Sequence, residues 1–385
     1  MTESKEHRDV QLLGRIHTSA EELSAMLCRD LDRPHEAMLH WWGDTDSGAA
    51  LVRVAKDDKR LDIAPQVFYQ RRQDGGLAAP RLNEEEHKRI FAYRAKLQVT
   101  PIGLEGTWTA PSVDGGKIEL RRTGAGDLVH AHLCTNWSEF KKWATASKET
   151  DDAVWFRGHG KSDYRLMTTL HRAGRGRLER YCAETLPQFR SHAEAVLSTE
   201  FSLNNGDHYS TLLGLAQHHG LPTPLLDWTE SPYIAAFFAF SAALEGGYHQ
   251  QGGSVRVYGL TRDFVAISNL PTVILPFISP YIASLSISAR QNPRLYAQQG
   301  TFLVTNVAEV EVFICGMQKR AMKTFLVAAD VPAECAVEAL EDLKFMGLSA
   351  ATMFPGLDGV ARMMRHEMAF KRDAVPASGK PAATN

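Results

Sequence analysis

The sequence predicts an α+β protein: a mixed, mainly antiparallel sheet with helices packed outside it, preceded by a small N-terminal α/β module. Three observations carry the prediction. The run AVWFRGHG (residues 153–160) opens on a short, apolar, β-prone strand and ends in Arg157 and a Gly-x-Gly turn. The run LLDWTESPYIAAFFAF (residues 225–240) reads as a short buried strand followed by a helix that is apolar nearly all round. Further β-prone runs, SVRVYGL, GTFLVT, VEVFIC and MKTFLVA, are spread along the C-terminal part of the chain.

At 385 residues the chain accommodates two domains or one large elaborated one. An apolar fraction of 44% and a charged fraction of 23% are those of a globular protein with a sizeable core. The net charge of −2 supplies no global field toward nucleic acid or membrane, so any polyanion contact needs a local basic patch. The five cysteines are far apart and show no CxxC or zinc spacing, which predicts free thiols in a reducing cytoplasm. The N-terminal MTESKEHRDV is charged and lacks an apolar core, so no signal peptide is expected. YIAAFFAFSAAL is too short to span a bilayer and LPTVILPFISPYIASLSI carries three prolines, so no membrane segment is expected either.

The elements follow in order. Residues 1–126 form the predicted accessory module. Ser19 is placed to cap a helix through Leu31, with Glu22 at the capping-box position. Strands are expected at ALVRVA and QVFYQRR, then a charged helix from Asn83 to Lys96. GLEGTWTAPSVDGGKIELRR reads as a hairpin in which GTWT pairs with KIEL across a turn holding Asp114, Gly115 and Gly116. Trp41 and Trp42 read as packing or partner contacts. The main domain is expected over 127–370. It opens with a strand at LVHAHL and a helix started by Asn136 or Ser138, and continues with the VWFRG strand. A strongly basic stretch follows at 161–180, then a helical region over 178–220 interrupted near NNGDHY. Beyond the helix from Pro232 to Leu244 come the later strands and a helix from about Ala333, with MFPGLDG as a turn in which Asp358 is structural. Residues 371–385 have the composition of a disordered tail.

Several motifs tempt and fail. GHGKS mimics the end of a P-loop, but the position that needs the first glycine is Trp155. Gly158, Gly160 and Asp163 miss the third glycine of a dinucleotide fingerprint. His218 and His219 are adjacent on a helix and point apart, which argues against a shared metal. There is no HExxH and no GxSxG. What survives is the mouth of the apolar helix. Ser231 at N-cap and Pro232 at N1 are in the favoured order, and the free N–H groups there suit an anion, with Asp227 and Thr229 beside them. The same residues also fit plain helix capping, with Asp227 tying down a loop.

Four stretches together, WFRGHGKSDYRLMTTLHR, LAQHHGLPTPLLDWTESPYIAAFFAF, NPRLYAQQGTFLV and FMGLSAATMFPGLDGVARMM, resemble the FRG-domain family, named for its Phe-Arg-Gly motif. They occur in the expected order. The sequence departs from the family's usual residues at His159, where glutamine is usual, at His219, where tyrosine is common, and at Pro224, where arginine is common. The order of a strand with Arg, a strand running through T-x-S-P into a helix, and a strand preceded by Q-x-G also resembles the layout of ADP-ribosyltransferases. That resemblance implies a sheet split around a cleft and NAD as a consumed substrate, with no metal. Carried over residue by residue, Arg157, flanked by Gly158 and His159, takes the diphosphate or ribose. Thr229 and Ser231 line the nicotinamide pocket, and Gln298 or Gln299 lies near the place of the transfer acid. Arg157, Asp227, Thr229 and Gln299 are the expected catalytic residues. His218 reads as a ligand contact or as core packing, and Arg294 as a second phosphate contact or part of a turn.

The chemistry is coherent. Cleaving nicotinamide from ribose passes through an oxocarbenium-like state, which needs a clamped diphosphate and negative charge near the sugar. A bidentate guanidinium suits the clamp. Gln299 cannot ionise, so candidate acids are Asp227, Glu230, and Glu309 or Glu311, which share one face of the predicted VEVFIC strand by period two. The implied partner is a nucleic acid or protein target, with an antitoxin or sensor partner bound through residues 1–126 and a role as a bacterial toxin or antiphage effector. The alternative is a non-catalytic domain that binds a nucleotide or nucleic acid.

Overall fold

The computed structural model describes residues 10–373 apart from 58, 112, 124–125, 269–275 and 288–292. The tail expected to be disordered lies outside the described residues from 374 onward. The chain is α+β, with two sheets. The first is built from β1 (Gln11–His17), β2 (Glu22–Arg29), β3 (Glu36–Trp42), β4 (Ser47–Asp57), β5 (Arg60–Arg71), β6 (Leu77–Ala78), β7 (Arg94–Thr100), β8 (Gly103–Ala110) and β9 (Val113–Arg122). All neighbours pair antiparallel in the order β4-β3-β2-β1-β9-β8-β7-β5, and β5 pairs back onto β4, closing an eight-stranded barrel with β6 attached to β5.

The barrel corrects the expected N-terminal α/β module. Among the described residues its one helix is Glu84–Phe91, capped by Asn83 in a capping box with Glu86. The segment expected to run as a helix from Ser19 to Leu31 is strand β2. Leu23, Ala25 and Leu27 point into the barrel, while Met26 and Cys28 on the opposite face are buried in a second cluster with Met38 and Ala49. A strand buried on both faces shows no alternation, and its apolar content imitates a helix. The predicted hairpin forms, with Thr107 opposite Lys117, but Asp114–Gly116 lie inside β9 rather than at the turn.

The second sheet holds β10 (His132–Leu133), β11 (Ala153–His159), β12 (Leu225–Thr229), β13 (Ser254–Thr261), β14 (Ile282–Leu285), β15 (Gly300–Thr305) and β16 (Leu326–Pro332), in the order β10-β16-β13-β11-β12-β15-β14. Its pairings are antiparallel except β10 with β16, so the sheet is mixed. The expected strand VEVFIC is a helix, Val310–Ala321, which corrects the reading of Glu309 and Glu311 as neighbours on a strand face. The β-branched residues are overridden by tertiary context. Glu311 is buried, accepting from the Val129 N–H at 3.0 Å and from Tyr258 Oη at 2.9 Å.

The helix Pro232–Glu245 is the spine of the core, apolar all round and buried at ten of its positions. Ser231 caps it, accepting from the Ile234 N–H at 3.4 Å. It lies across β11 at a distance only glycine permits. A Cβ on Gly158 would stand 1.9 Å from the Ala235 carbonyl oxygen, and one on Gly160 2.8 Å from the Ala242 methyl. The glycines of the FRGHG run therefore serve close helix–strand packing.

Barrel and second sheet are locked together by buried charge. Asp30, 2% exposed, accepts from the Gly176 and Arg177 N–H groups, both at 3.0 Å, and from Arg180 Nη1 at 2.8 Å. Arg177 reaches Glu36 at 2.7 Å, Arg175 reaches Asp32 at 3.2 Å, and Gln11 bonds the backbone of Asn306 and Ala308. Much of the basic stretch at 161–180 is thus consumed by acids of the barrel. Among the described residues no helix is long and apolar enough to cross a membrane.

Gly158→Ala is expected to lower the unfolding free energy by about 3 kcal/mol or more, because the new methyl meets backbone that cannot give way. Gly206→Ala, at a helix start with open space around it, should leave stability unchanged or raised. Urea denaturation of both variants checks the contrast.

Candidate functional site

The second sheet parts between β11 and β12. The two strands share a single residue pair, Phe156 opposite Thr229. Beyond it β11 stays paired with β13 and β12 with β15, and a cleft of about 310 Å³ opens at the gap. Arg157 spans the mouth of the gap. Its Nη1 donates to the Asp227 carbonyl at 2.6 Å and stands 3.8 Å from the Asp227 carboxylate. The Arg157 side chain is only 16% exposed, whereas that of Asp227 is 53% exposed. Burial pulls the guanidinium below its ordinary pKa, and Asp227 offsets part of the effect. Nη2 has no hydrogen-bond partner among the described residues and remains available to the cleft.

His159 sits behind Arg157. Its Nδ1–H donates to the Tyr164 carbonyl at 3.3 Å, which leaves Nε2 to accept from Arg157 Nε–H at 3.3 Å. Burial, reinforced by Arg157, pushes its pKa down to about 3, so the ring stays neutral and keeps its acceptor. His159 positions Arg157 and is not among the cleft-lining residues.

Residues 152–246 match the family model of the FRG domain. The chain carries an FRG domain. No curated protein and no solved structure matches the chain.

Of the residues expected at the site, the FRG domain and the chain after it bring Arg157, Gly158, Asp227, Thr229, His218 and Arg294 to the lining of one cleft. Thr229 is buried, and its Oγ1 accepts from the Ser231 N–H at 3.2 Å. Ser231 is occupied in capping and does not line the cleft, and neither does Gln299. Gln299 holds a left-handed turn (φ 45°), donating its N–H to Tyr296 and accepting at its carbonyl from Glu230 N–H. Its neighbour Gln298 does line the cleft and donates to the Met353 carbonyl at 3.0 Å. Glu309 lies 4.0 Å from Arg165, and neither it nor Glu311 borders the cleft. His218 is held below its ordinary pKa by burial first and by Arg294 second.

Two kinds of lining residue escaped the sequence reading. Gln217 places Nε2 at 3.1 and 2.9 Å from the two Asp227 carboxylate oxygens, and its Oε1 accepts from Thr223 Oγ1. It stands directly before His218, and a neutral amide gives no signal beside a histidine pair. Phe238, Phe302 and Phe354 form an aromatic wall, with the Arg294 guanidinium 5.5 Å from the centre of the Phe354 ring. Among the described residues no group of three or more His, Cys, Asp or Glu side chains is placed to hold a metal ion.

Three histidines are buried neutral: His159, with a pKa of about 3, and His40 and His171, each pushed down by burial to about 4. Unfolded, each takes up a proton near pH 6.5, so the stability they contribute is full above that pH and is lost as the pH falls toward 4. The unfolding free energy should therefore drop between pH 7 and pH 4, by up to about 1.4 kcal/mol per pH unit for each histidine. Urea midpoints measured across this range test it. His159→Gln, which keeps an acceptor for Arg157 but cannot titrate, should remove its share of the slope.

Proposed function

We propose that the cleft binds NAD and cleaves its nicotinamide–ribose bond, passing ADP-ribose to a nucleic acid or protein acceptor. The observation that carries this reading is the buried Arg157 guanidinium, with donors left over, facing an exposed carboxylate across the gap in the sheet. Arg157 takes the diphosphate with its planar fork, aided by Arg294, which also lines the cleft. The Phe238 and Phe354 rings offer the pyridine ring an apolar surface on which to stack. As the C1′–N bond breaks, its electron pair neutralises the pyridinium nitrogen and nicotinamide leaves uncharged. Positive charge grows at C1′ and O4′ of the ribose, where the Asp227 carboxylate lowers its energy. The acceptor's oxygen or nitrogen then bonds to C1′ and loses its proton to Asp227 or solvent. The gap between β11 and β12 is in keeping with the split sheet of ADP-ribosyltransferases, and the role of toxin or antiphage effector is carried by the sequence resemblance.

One observation favours binding without turnover. Gln217 engages both oxygens of Asp227, and Gln299, near the expected place of the transfer acid, cannot ionise and holds a turn with its backbone. On that second reading the cleft is a nucleotide receptor and the barrel its partner-binding module.

Nicotinamide release from NAD by the purified protein, followed chromatographically with and without nucleic acid, separates the two. Transfer predicts release. Arg157→Lys and Asp227→Asn should each lower it roughly a hundredfold or more, with melting temperatures close to the parent's. NAD binding without release would leave the receptor reading, and neither binding nor release would remove NAD from the cleft.

A further inference from the structure

The C-terminal helix Leu357–Asp373 has two faces with different surroundings. One is anchored to the core helix. Arg362 pairs with Glu245 through Nε at 2.5 Å and Nη2 at 2.9 Å. His366 Nε2 lies 2.9 Å from Glu245 and 3.2 Å from Ser241 Oγ, and Met363 and Phe370 pack on the same cluster. The opposite face is apolar and bare. Leu357 is 86% exposed, Met364 56% and Met368 70%, with Ala361 exposed between them.

The spacing of Leu357, Ala361, Met364 and Met368 is that of successive d, a, d and a positions of a heptad repeat. Asp358 and Arg365 both fall at e, directly beside this stripe. Both are exposed, and neither has a hydrogen-bond or ion-pair partner among the described residues. The anchored residues Arg362, Met363, His366 and Phe370 take the b, c and f positions. The stripe therefore has the spacing of a helix–helix seam, on the face away from the anchoring contacts.

We propose that this seam pairs antiparallel with the same helix of a second copy of the chain. With the two-fold axis between Arg362 and Met363, Leu357 meets Met368 of the second copy and Ala361 meets Met364, each d position facing an a position. The interface is isologous, so each contact occurs twice. In the antiparallel arrangement e positions face e positions, which sets Asp358 of each copy against Arg365 of the other. A parallel pair would set Arg365 against Val360 and leave both charges unmatched. Charge complementarity thus selects the occupant and its direction. Phe345, 92% exposed and next to Lys344, which pairs with Glu367 at 2.5 Å, extends the apolar surface at one end of the seam.

The test is the mass of the full-length protein in solution, by sedimentation velocity over a range of micromolar concentrations. A concentration-dependent dimer is expected. Met364→Glu, on an exposed face and so without cost to the fold, should weaken it roughly a hundredfold, about 2.7 kcal/mol. Arg365→Asp should weaken it by setting like charges together, and adding Asp358→Arg in the same chain should restore it. A wild-type protein that stays monomeric throughout overturns the proposal, as does a dimer indifferent to Met364→Glu or a charge swap without recovery. A monomer that instead sediments with vesicles of anionic phospholipid would assign the face to a lipid surface, and the dimer would fall.

Discussion

The contact between the Arg157 guanidinium and the Asp227 carbonyl bridges the second sheet at the point where its backbone ladder stops, and the cleft is built around it. After the one pair Phe156–Thr229, β11 and β12 no longer satisfy each other's polar groups, and the Asp227 carbonyl takes its donor from a side chain instead of the neighbouring strand. Arg157 supplies that donor. In doing so it brings a full positive charge to a site with little solvent, where the nearest carboxylate is 3.8 Å away and itself half exposed. Removing a cation from water costs several kcal/mol, and a carboxylate at that distance with its own hydration offsets only part. The cleft is thus left with a standing deficit of negative charge, and an anionic ligand at Nη2 would relieve it. One side chain serves both as a structural bridge and as the origin of the site.

The gap follows from the way the core helix packs. Thr229 closes β12, Ser231 caps the helix, and Pro232 starts it, so the chain turns back over β11 within two residues. Ala235, Ala239 and Ala242 then lie against Gly158 and Gly160. Small residues on both sides bring helix and strand into contact at the level of the backbone and leave the side chains of Arg157 and Asp227 to fill the space between strands. His159, neutral and fixed between the Tyr164 carbonyl and Arg157, settles which way the guanidinium turns. A charged imidazole there would offer the arginine a second donor instead of an acceptor. Its depressed pKa is therefore a condition for the geometry of the cleft.

What the sequence revealed was what local signals encode. The strand carrying Arg157, the Ser-Pro helix start and the apolar helix are each written in consecutive residues, and the structure has all three, with the strand running on to His159 where a Gly-x-Gly turn was expected. The failures share another cause. Strand β2 is buried on one face by the barrel and on the other by a second cluster, so its apolar content lost the period of two. Val310–Cys315 reads as a strand by propensity, but Glu311 is drawn inward to Tyr258 and the backbone of Val129. The arginines at 175, 177 and 180 read only as part of a basic stretch, because Asp30, Asp32 and Glu36, which neutralise them, stand well over a hundred residues earlier. Gln217 was overlooked beside the histidines, although it is the residue that holds the Asp227 carboxylate. Gln217 apart, which stands 10 residues from Asp227, the deciding partner is distant in sequence.

The division of the cleft between parts of the chain bears on which ligand it selects. The stretch matched as an FRG domain, 152–246, supplies Arg157, Gln217, His218, Asp227 and Thr229, together with Phe238 of the aromatic wall. Arg294, Phe302 and Phe354 come from beyond it. The Phe354 ring lies 5.5 Å from the Arg294 guanidinium and 4.6 Å from that of Arg362, and Arg362 is itself pinned to Glu245 of the core helix. The aromatic wall is therefore tied both to the helix whose start borders the cleft and to the C-terminal helix that carries Arg362. Hydrogen bonds to an anion discriminate poorly among nucleotides, which all carry phosphate. Shape and stacking against a ring discriminate well, because a misplaced ring forfeits contact along its whole face. On the proposed reading the cleft needs both parts, because the matched stretch brings Arg157 and Phe238 and the chain beyond it brings Arg294 and Phe354.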